Sequence, residues 1–151
     1  MSDRIYIHYG SDRFRLKQFR PIINMAHRNK PDGGLWASPV DAEYGWKQWC
    51  EDEDYCECND QDSFRFTLAD GANVVHIRDA SDLTDLPKTT NPHDFTWVSN
   101  ASLDFEKMLA DGVDAIELKL SDNWQMYWDM YGWDCDCILV LNPDVVQEIK
   151  S

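Results

Sequence analysis

The chain has 151 residues, which suits a single domain (1–151) with a buried core. Apolar residues make up 43% and aromatic residues 13%, which excludes a disordered tail, and no segment approaches the roughly 18 consecutive apolar residues of a membrane span. The formal net charge of -14 disfavours nucleic acid as a partner, because phosphates repel an acidic surface.

The five cysteines indicate reduced thiols rather than a disulfide scaffold, because their number is odd. Residues 1–4 lack the apolar core of a secretion signal, so we expect a cytoplasmic protein. Two Cys-x-Cys pairs occur, but zinc usually takes Cys-x2-Cys or wider spacing, so no metal site is predicted.

Charge is unevenly distributed along the chain. Residues 1–30 hold seven basic and two acidic side chains, whereas residues 51–62 hold seven acidic and no basic side chains. The basic segment could contact a small anion such as a dinucleotide, or form a solvated face that pairs with the acidic majority. The acidic segment is expected to be a solvated loop, with imitation of nucleic-acid phosphates as an alternative.

Alternation and turn residues predict the elements of the first half. They are a strand Arg4–Tyr9, irregular structure over 12–31, a turn at Asp32–Gly34, a strand Leu35–Ser38, and a helix Ala42–Cys50 capped by Asp41. Ser63–Leu68 and Ala72–Arg78 flank the turn Asp70-Gly71, so the sequence predicts that they form a hairpin.

The second half alternates short helices with strands. The predicted elements are a helical turn Asp82–Leu86 capped by Ser81, a loop over 88–100 with Trp97 and Val98 docked, a helix Leu103–Ala110, a strand Val113–Leu118, and a helix from Ser121 to Gly132. In that last helix the spacing of Trp124, Tyr127, Trp128 and Tyr131 predicts a core-facing side.

The most apolar strand, Cys137–Leu141, lies near the end and is predicted to be buried on both faces. Asp134 and Asp136 precede it, either to solvate its entry or to serve as functional acids held by a rigid element. Residues two apart on a strand share a face, so both could line one cleft, and Asp136 is ranked first because it adjoins the apolar run. Pro143–Val146 is expected to be a final strand or turn.

These elements predict an α+β fold with a mixed, mainly antiparallel sheet. Three segments carry residues that a site could use, each on or beside a short strand. They are His8-Tyr9-Gly10-Ser11, Gly33-Gly34-Leu35-Trp36-Ala37-Ser38 and Asp134 to Asp136, which leads into the apolar run Cys137-Ile138-Leu139-Val140. Glycines in two of the segments are expected to let a ligand approach the backbone closely.

In their order and spacing, the three segments resemble the signature of the ADP-ribosyltransferase fold, in which a first strand supplies a histidine, a second an aromatic residue and a late strand an acid. The likeness is to small bacterial and phage mono-ADP-ribosyltransferases. Here aspartate stands in place of the usual glutamate, and Trp36 in place of the commoner tyrosine. The resemblance implies a split sheet that binds NAD as substrate in a cleft.

The resemblance also implies roles for individual residues. Tyr9 and Gly10 would hold the nicotinamide amide through their backbone, beside Ser11. His8 would hydrogen-bond the adenosine-side ribose or orient the dinucleotide. Gly34, Trp36 and Ser38 would form the second wall, with Trp36 stacked on the nicotinamide ring. Asp136 or Asp134 would stabilise the cationic sugar as nicotinamide leaves, and Arg13 or Arg15 could contact the pyrophosphate.

Two functions follow from the sequence. The first is NAD-dependent transfer of ADP-ribose to a protein acceptor, with hydrolysis of NAD without an acceptor as a weaker version. The second is a non-catalytic acidic binding protein, such as a viral or plasmid-borne inhibitor, that occupies a basic partner surface.

Overall fold

Seven strands form one mixed sheet in the computed structural model, which describes residues 4–25, 29–89, 103–121, 123–130 and 133–149. The strands are β1 (Tyr6–Tyr9), β2 (Leu35–Pro39), β3 (Ser63–Leu68), β4 (Val74–Ile77), β5 (Ala115–Leu118), β6 (Cys137–Val140) and β7 (Val146–Ile149). Their order across the sheet is β4-β5-β6-β2-β1-β3-β7. The β4–β5 pair is parallel and the other neighbours are antiparallel, which confirms the α+β class and the mainly antiparallel sheet.

The helices within the described residues are short. They are α1 (Trp46–Asp52), α2 (Phe105–Ala110) and α3 (Met126–Asp129), with 3-10 turns at Leu16–Gln18, Asp60–Asp62, Ala80–Leu83 and Pro143–Val145. None of the described helices is long and apolar enough to cross a membrane.

Side chains of β1 and β5 meet across one face of the sheet. These strands are three positions apart, and the Tyr6 hydroxyl of β1 donates a hydrogen bond to Glu117 of β5 at 2.5 Å. An apolar cluster covers this face, with Tyr6 and Phe66 from β1 and β3 and with Ile138 and Val140 from β6.

A second apolar cluster lies on the opposite face of the sheet, where the helices pack. Phe105 and Met108 of α2 contact it, and Cys137 and Leu139 contribute from β6. Because side chains alternate along a strand, β6 supplies both clusters and is buried on both faces, as the apolar run predicts.

The predicted hairpin is wrong. β3 pairs with β1 and β7, whereas β4 runs to the far edge of the sheet and pairs with β5. Both neighbouring positions of β3 are already occupied, so the turn at Gly71 connects two strands that do not pair with each other.

Two predicted helices are shorter than expected. The first begins at Trp46 rather than Ala42, because the Ser38 hydroxyl accepts a hydrogen bond from the Trp46 N–H at 2.9 Å and Asp41 does not cap it. The second spans Met126–Asp129 in the described residues, and Ser121 does not cap it because its N–H and hydroxyl donate to Asp136.

Smaller differences affect the other elements. Asp79, not Ser81, caps the turn Ala80–Leu83, and Asp104 caps α2. Trp124 is half exposed instead of buried. Trp97, Val98, Tyr131 and Gly132 lie outside the described residues.

Candidate functional site

A split opens in the middle of the sheet, between β1 and β2. These strands pair only at Tyr6–Pro39 and Ile7–Ser38, whereas β1 stays paired with β3 through Tyr9. β2 meanwhile stays paired with β6 from Leu35 to Ala37. The two strands therefore separate after Ile7, where the side chain of His8 enters the gap.

The imidazole of His8 bridges the split. Its Nδ1 lies 2.6 Å from the backbone oxygen of Trp36, and since a carbonyl only accepts, Nδ1 carries the hydrogen. Burial lowers the pKa of His8, which favours the neutral ring, so Nε2 presents a lone pair. Nε2 makes no hydrogen bond to the described residues and faces Gly10, where an added Cβ would lie 3.9 Å from this nitrogen.

An aromatic cavity of about 240 Å³ lies on one side of His8. Its lining includes Trp36, Trp46, Trp133, Tyr9, Lys30, Cys135 and Cys137. The Lys30 ammonium lies 4.9 Å from the Trp36 ring centre, and the edge of Trp133 packs on the same indole. This cavity suits a flat, cationic ring, because an indole face attracts positive charge.

A basic cavity of about 150 Å³ lies on the other side of His8 and includes Ser11, Arg13, Arg15 and Gly34 in its lining. Arg15 is held by Asp12 at 2.7 Å and by the Ser11 hydroxyl at 2.9 Å. Arg13 is exposed, and its guanidinium makes no hydrogen bond or ion pair with the described residues, so this group is available to an anion.

Gly10 and Gly34 differ in the space around their Cα atoms. Both have positive φ, +111° and +77°, but a Cβ at Gly34 would lie 2.6 Å from Leu139 Cδ1 and 2.8 Å from Ile22 Cδ1. Gly34 is therefore required by packing, whereas the space around Gly10 is open to a ligand.

Asp136, the acid predicted to be catalytic, lines neither of the two cavities that His8 borders. Its buried carboxylate accepts hydrogen bonds from the Leu120 and Ser121 N–H groups at 2.7 and 2.8 Å, from the Ser121 hydroxyl at 2.7 Å and from the Tyr44 N–H at 3.4 Å. It also lies across the sheet from the aromatic cavity, because Trp36 shares a face with Leu139 and Cys137. The three predicted side chains therefore do not converge.

Asp134 does not share a face with Asp136, contrary to the prediction. Its φ of +66° interrupts the extended backbone, so the alternation assumed between the two aspartates fails. Burial raises the pKa of the Asp134 carboxyl, and nearby Lys30, which lines the aromatic cavity, opposes that rise. Among the described residues, neither cavity is lined by Asp or Glu.

Ser38 lines neither of the two cavities. Its side chain is buried, and its hydroxyl caps the start of α1. Its contribution is indirect, because α1 begins with Trp46, which forms one wall of the aromatic cavity.

Two further clusters lie outside the predicted site, and only the first of them was missed in the sequence. One surrounds Glu117, buried on β5, whose carboxylate accepts from Tyr6 and lies 3.4 Å from Arg4 and 3.7 Å from His76. In the sequence, this cluster was indicated by the acidic Glu117 within the otherwise apolar part of the predicted strand Val113–Leu118. The other brings the sulfur atoms of Cys50, Cys56 and Cys58 within 4.8 Å of one another.

The chain matches no protein-family model, no curated protein and no solved structure. Functional inference therefore depends on the two cavities that share His8 and on the groups that surround them.

Proposed function

We propose that the chain binds NAD across the split between β1 and β2 and transfers its ADP-ribose to a protein acceptor. The observation that carries the proposal is that one histidine borders both an aromatic and a basic cavity. NAD has matching parts, since a cationic nicotinamide ring is joined through a ribose to a diphosphate. The strand positions of His8 and Trp36, on adjacent strands, agree with the resemblance to ADP-ribosyltransferases.

The nicotinamide ring is assigned to the aromatic cavity. Lys30 lies over the Trp36 indole at 4.9 Å, so this face already attracts a cation. A bound nicotinamide ring would displace the ammonium and take over the same interaction. Tyr9 and Gly10, at the end of β1, would supply backbone groups to its amide.

The ribose and diphosphate are assigned to His8 and the basic cavity. The Nε2 lone pair of His8 can accept a hydrogen bond from a ribose hydroxyl, because Nδ1 is already committed to Trp36. Arg13 is the cation with a free guanidinium for the diphosphate, and charge-assisted hydrogen bonds of this kind are strong and directional.

Transfer breaks the bond between the ribose C1′ and the nicotinamide nitrogen, and nicotinamide leaves with the electron pair. A nucleophile of the acceptor then bonds to C1′ and loses its proton to solvent. The cationic sugar needs a nearby carboxylate. We assign this role to Asp134 rather than Asp136, because Asp134, which does not line the cavity itself, is near enough for the charge of Lys30, a residue of the aromatic cavity, to act on its carboxyl.

Calorimetry with NAD tests the binding part of the proposal, and labelled NAD tests the transfer. We expect His8→Ala and Trp36→Ala to weaken binding, and Asp134→Asn to bind NAD but not to transfer ADP-ribose. Lys17→Gln, a basic residue of the same segment outside both cavities, serves as the control. Absence of NAD binding at millimolar concentration would refute the proposal.

The second candidate is a non-catalytic binding protein, favoured by the exposure of all seven acidic side chains between Glu51 and Asp62. Such a surface would hold a basic partner through long-range attraction that salt screens. This function predicts salt-sensitive capture of a basic protein that persists in His8→Ala and Asp134→Asn variants. Capture that is independent of salt would exclude it.

A further inference from the structure

We propose that Cys50, Cys56 and Cys58 bind one thiophilic divalent cation, with Zn²⁺ as the natural candidate, through three thiolates. Their sulfur atoms all lie within 4.8 Å of one another, and those of Cys50 and Cys56 are 3.2 Å apart. This inference is independent of the NAD site, since it involves different residues and a different ligand.

The sulfur spacing agrees with metal geometry. A Zn–S bond of about 2.3 Å in a tetrahedral site separates neighbouring sulfur atoms by about 3.8 Å. The observed range, from 3.2 Å to at most 4.8 Å, includes this value. Small side-chain rotations are therefore enough to bring the three sulfur atoms to one cation.

The backbone that carries the three thiols is held in place by other contacts. Cys50 lies in α1, and the chain turns back over the helix end, where the Tyr55 N–H donates to the Cys50 carbonyl at 3.0 Å. The Tyr55 ring packs against Trp46 and Trp49, which are stacked on each other. Much of the ordering entropy of the site is therefore lost on folding rather than on metal binding.

The surrounding charge favours a cation over an anion. The segment from Glu51 to Asp62 contains seven carboxylates and no basic side chain. A bound metal displaces the thiol protons and stabilises thiolates directly. Thiolate ligands select Zn²⁺ and other soft cations rather than Mg²⁺ or Ca²⁺.

The fourth coordination position is open to solvent. Within the described residues, no fourth His, Cys, Asp or Glu joins the cluster, and Cys56 is exposed. A site with three protein ligands keeps a place for water or for an added ligand, in contrast to closed structural zinc sites. We therefore assign an accessible Cys₃ site at the end of α1.

Co²⁺ titration of the reduced, chelator-treated protein tests the proposal. We expect thiolate-to-cobalt absorption that saturates at one Co²⁺ per chain and disappears when Zn²⁺ is added. Cys56→Ser should fold, because Cys56 is exposed, but should lose this absorption. Asp54→Asn changes a charge in the same loop and keeps all three thiols, so it should bind Co²⁺ with the wild-type stoichiometry.

Two results would overturn the proposal. The first is unchanged Co²⁺ stoichiometry and absorption in both Cys56→Ser and Cys58→Ser. The second is absence of uptake by the reduced wild-type chain together with a Cys50–Cys56 disulfide after mild oxidation, which would identify the pair as redox-active thiols instead. Mass spectrometry of the native protein distinguishes a bound cation from a disulfide by mass.

Discussion

His8 Nδ1 donates a hydrogen bond to the backbone oxygen of Trp36 at 2.6 Å, across the gap where β1 and β2 separate. The side chain takes the place of a missing backbone hydrogen bond between the two strands. This contact fixes the tautomer of the imidazole and connects the walls of the two cavities, so both stability and ligand binding are expected to depend on it.

The first prediction concerns pH and stability. Burial holds the pKa of His8 below its ordinary value of about 6.5, so the unfolded chain takes up this proton more readily than the folded one. The contribution of neutral His8 to stability is therefore fully present at pH values above the ordinary pKa of histidine. It is lost as the pH falls through the lower pKa that His8 has in the folded state. Urea denaturation should show a smaller decrease in stability on acidification for His8→Gln than for the wild type.

His76→Gln provides the matched control, because His76 is half exposed and lies 3.7 Å from Glu117 rather than in the split. It should retain the part of the pH dependence that His8 causes. An unchanged acid response in His8→Gln would contradict the assigned protonation state.

The second prediction separates the two aspartates. The carboxylate of Asp136 accepts four hydrogen bonds. In Asp136→Asn an amide takes its place, and the N–H groups of this amide face some of the same donors. We expect the free energy of unfolding to fall by about 3 kcal/mol, as for other buried charged acceptors. Urea denaturation at neutral pH measures the change.

Asp134→Asn should behave differently, because asparagine tolerates the positive φ and partial burial raises the pKa of this carboxyl, which disfavours its charged form. Its stability should equal or exceed that of the wild type at neutral pH. Equal destabilisation by the two substitutions would contradict the distinction drawn between them.

The third prediction concerns the anion site. Arg13→Gln removes a guanidinium that makes no hydrogen bond or ion pair with the described residues, so NAD affinity should fall by about tenfold, which corresponds to about 1.4 kcal/mol. Nicotinamide riboside lacks the diphosphate, and its affinity should not change. Calorimetry with both ligands measures the difference, and equal losses for the two would place Arg13 away from the phosphates.

The fourth prediction compares two glycines. Gly34→Ala introduces a methyl group 2.6 Å from Leu139 Cδ1 at a φ of +77°, so we expect destabilisation by about 3 kcal/mol. Gly71→Ala has a similar φ of +84° but nothing within 4 Å, so it should lose only about 1 kcal/mol. Thermal or urea denaturation measures both, and equal losses would show that packing at Gly34 is unimportant.

Local pattern predicted much of the fold. The alternation in Ser63–Leu68 and the apolar run Cys137–Leu141 each identified a strand with the correct burial, because side-chain period and hydrophobicity are properties of the segment itself. The histidine and tryptophan of the aromatic cavity were identified in the same way, since each lies in a short strand that turn residues delimit.

Long-range partners were not readable from local pattern. β4 pairs with β5, which is distant in sequence, and Ser38 caps a helix that starts eight residues later. The sequence around Asp136 resembles a catalytic strand, but its hydrogen bonds to residues 120 and 121 depend on tertiary structure. The cysteine spacing did not predict a metal site, because a turn of the chain, rather than a standard ligand spacing, brings the three thiols together.

The partner of His8 at position 36 is a main-chain oxygen, which every amino acid possesses. Replacing the indole with another ring, or with none, therefore leaves intact the acceptor that orients the imidazole. Substitution at residue 36 can thus reshape the wall of the aromatic cavity without changing which nitrogen of the histidine carries the hydrogen.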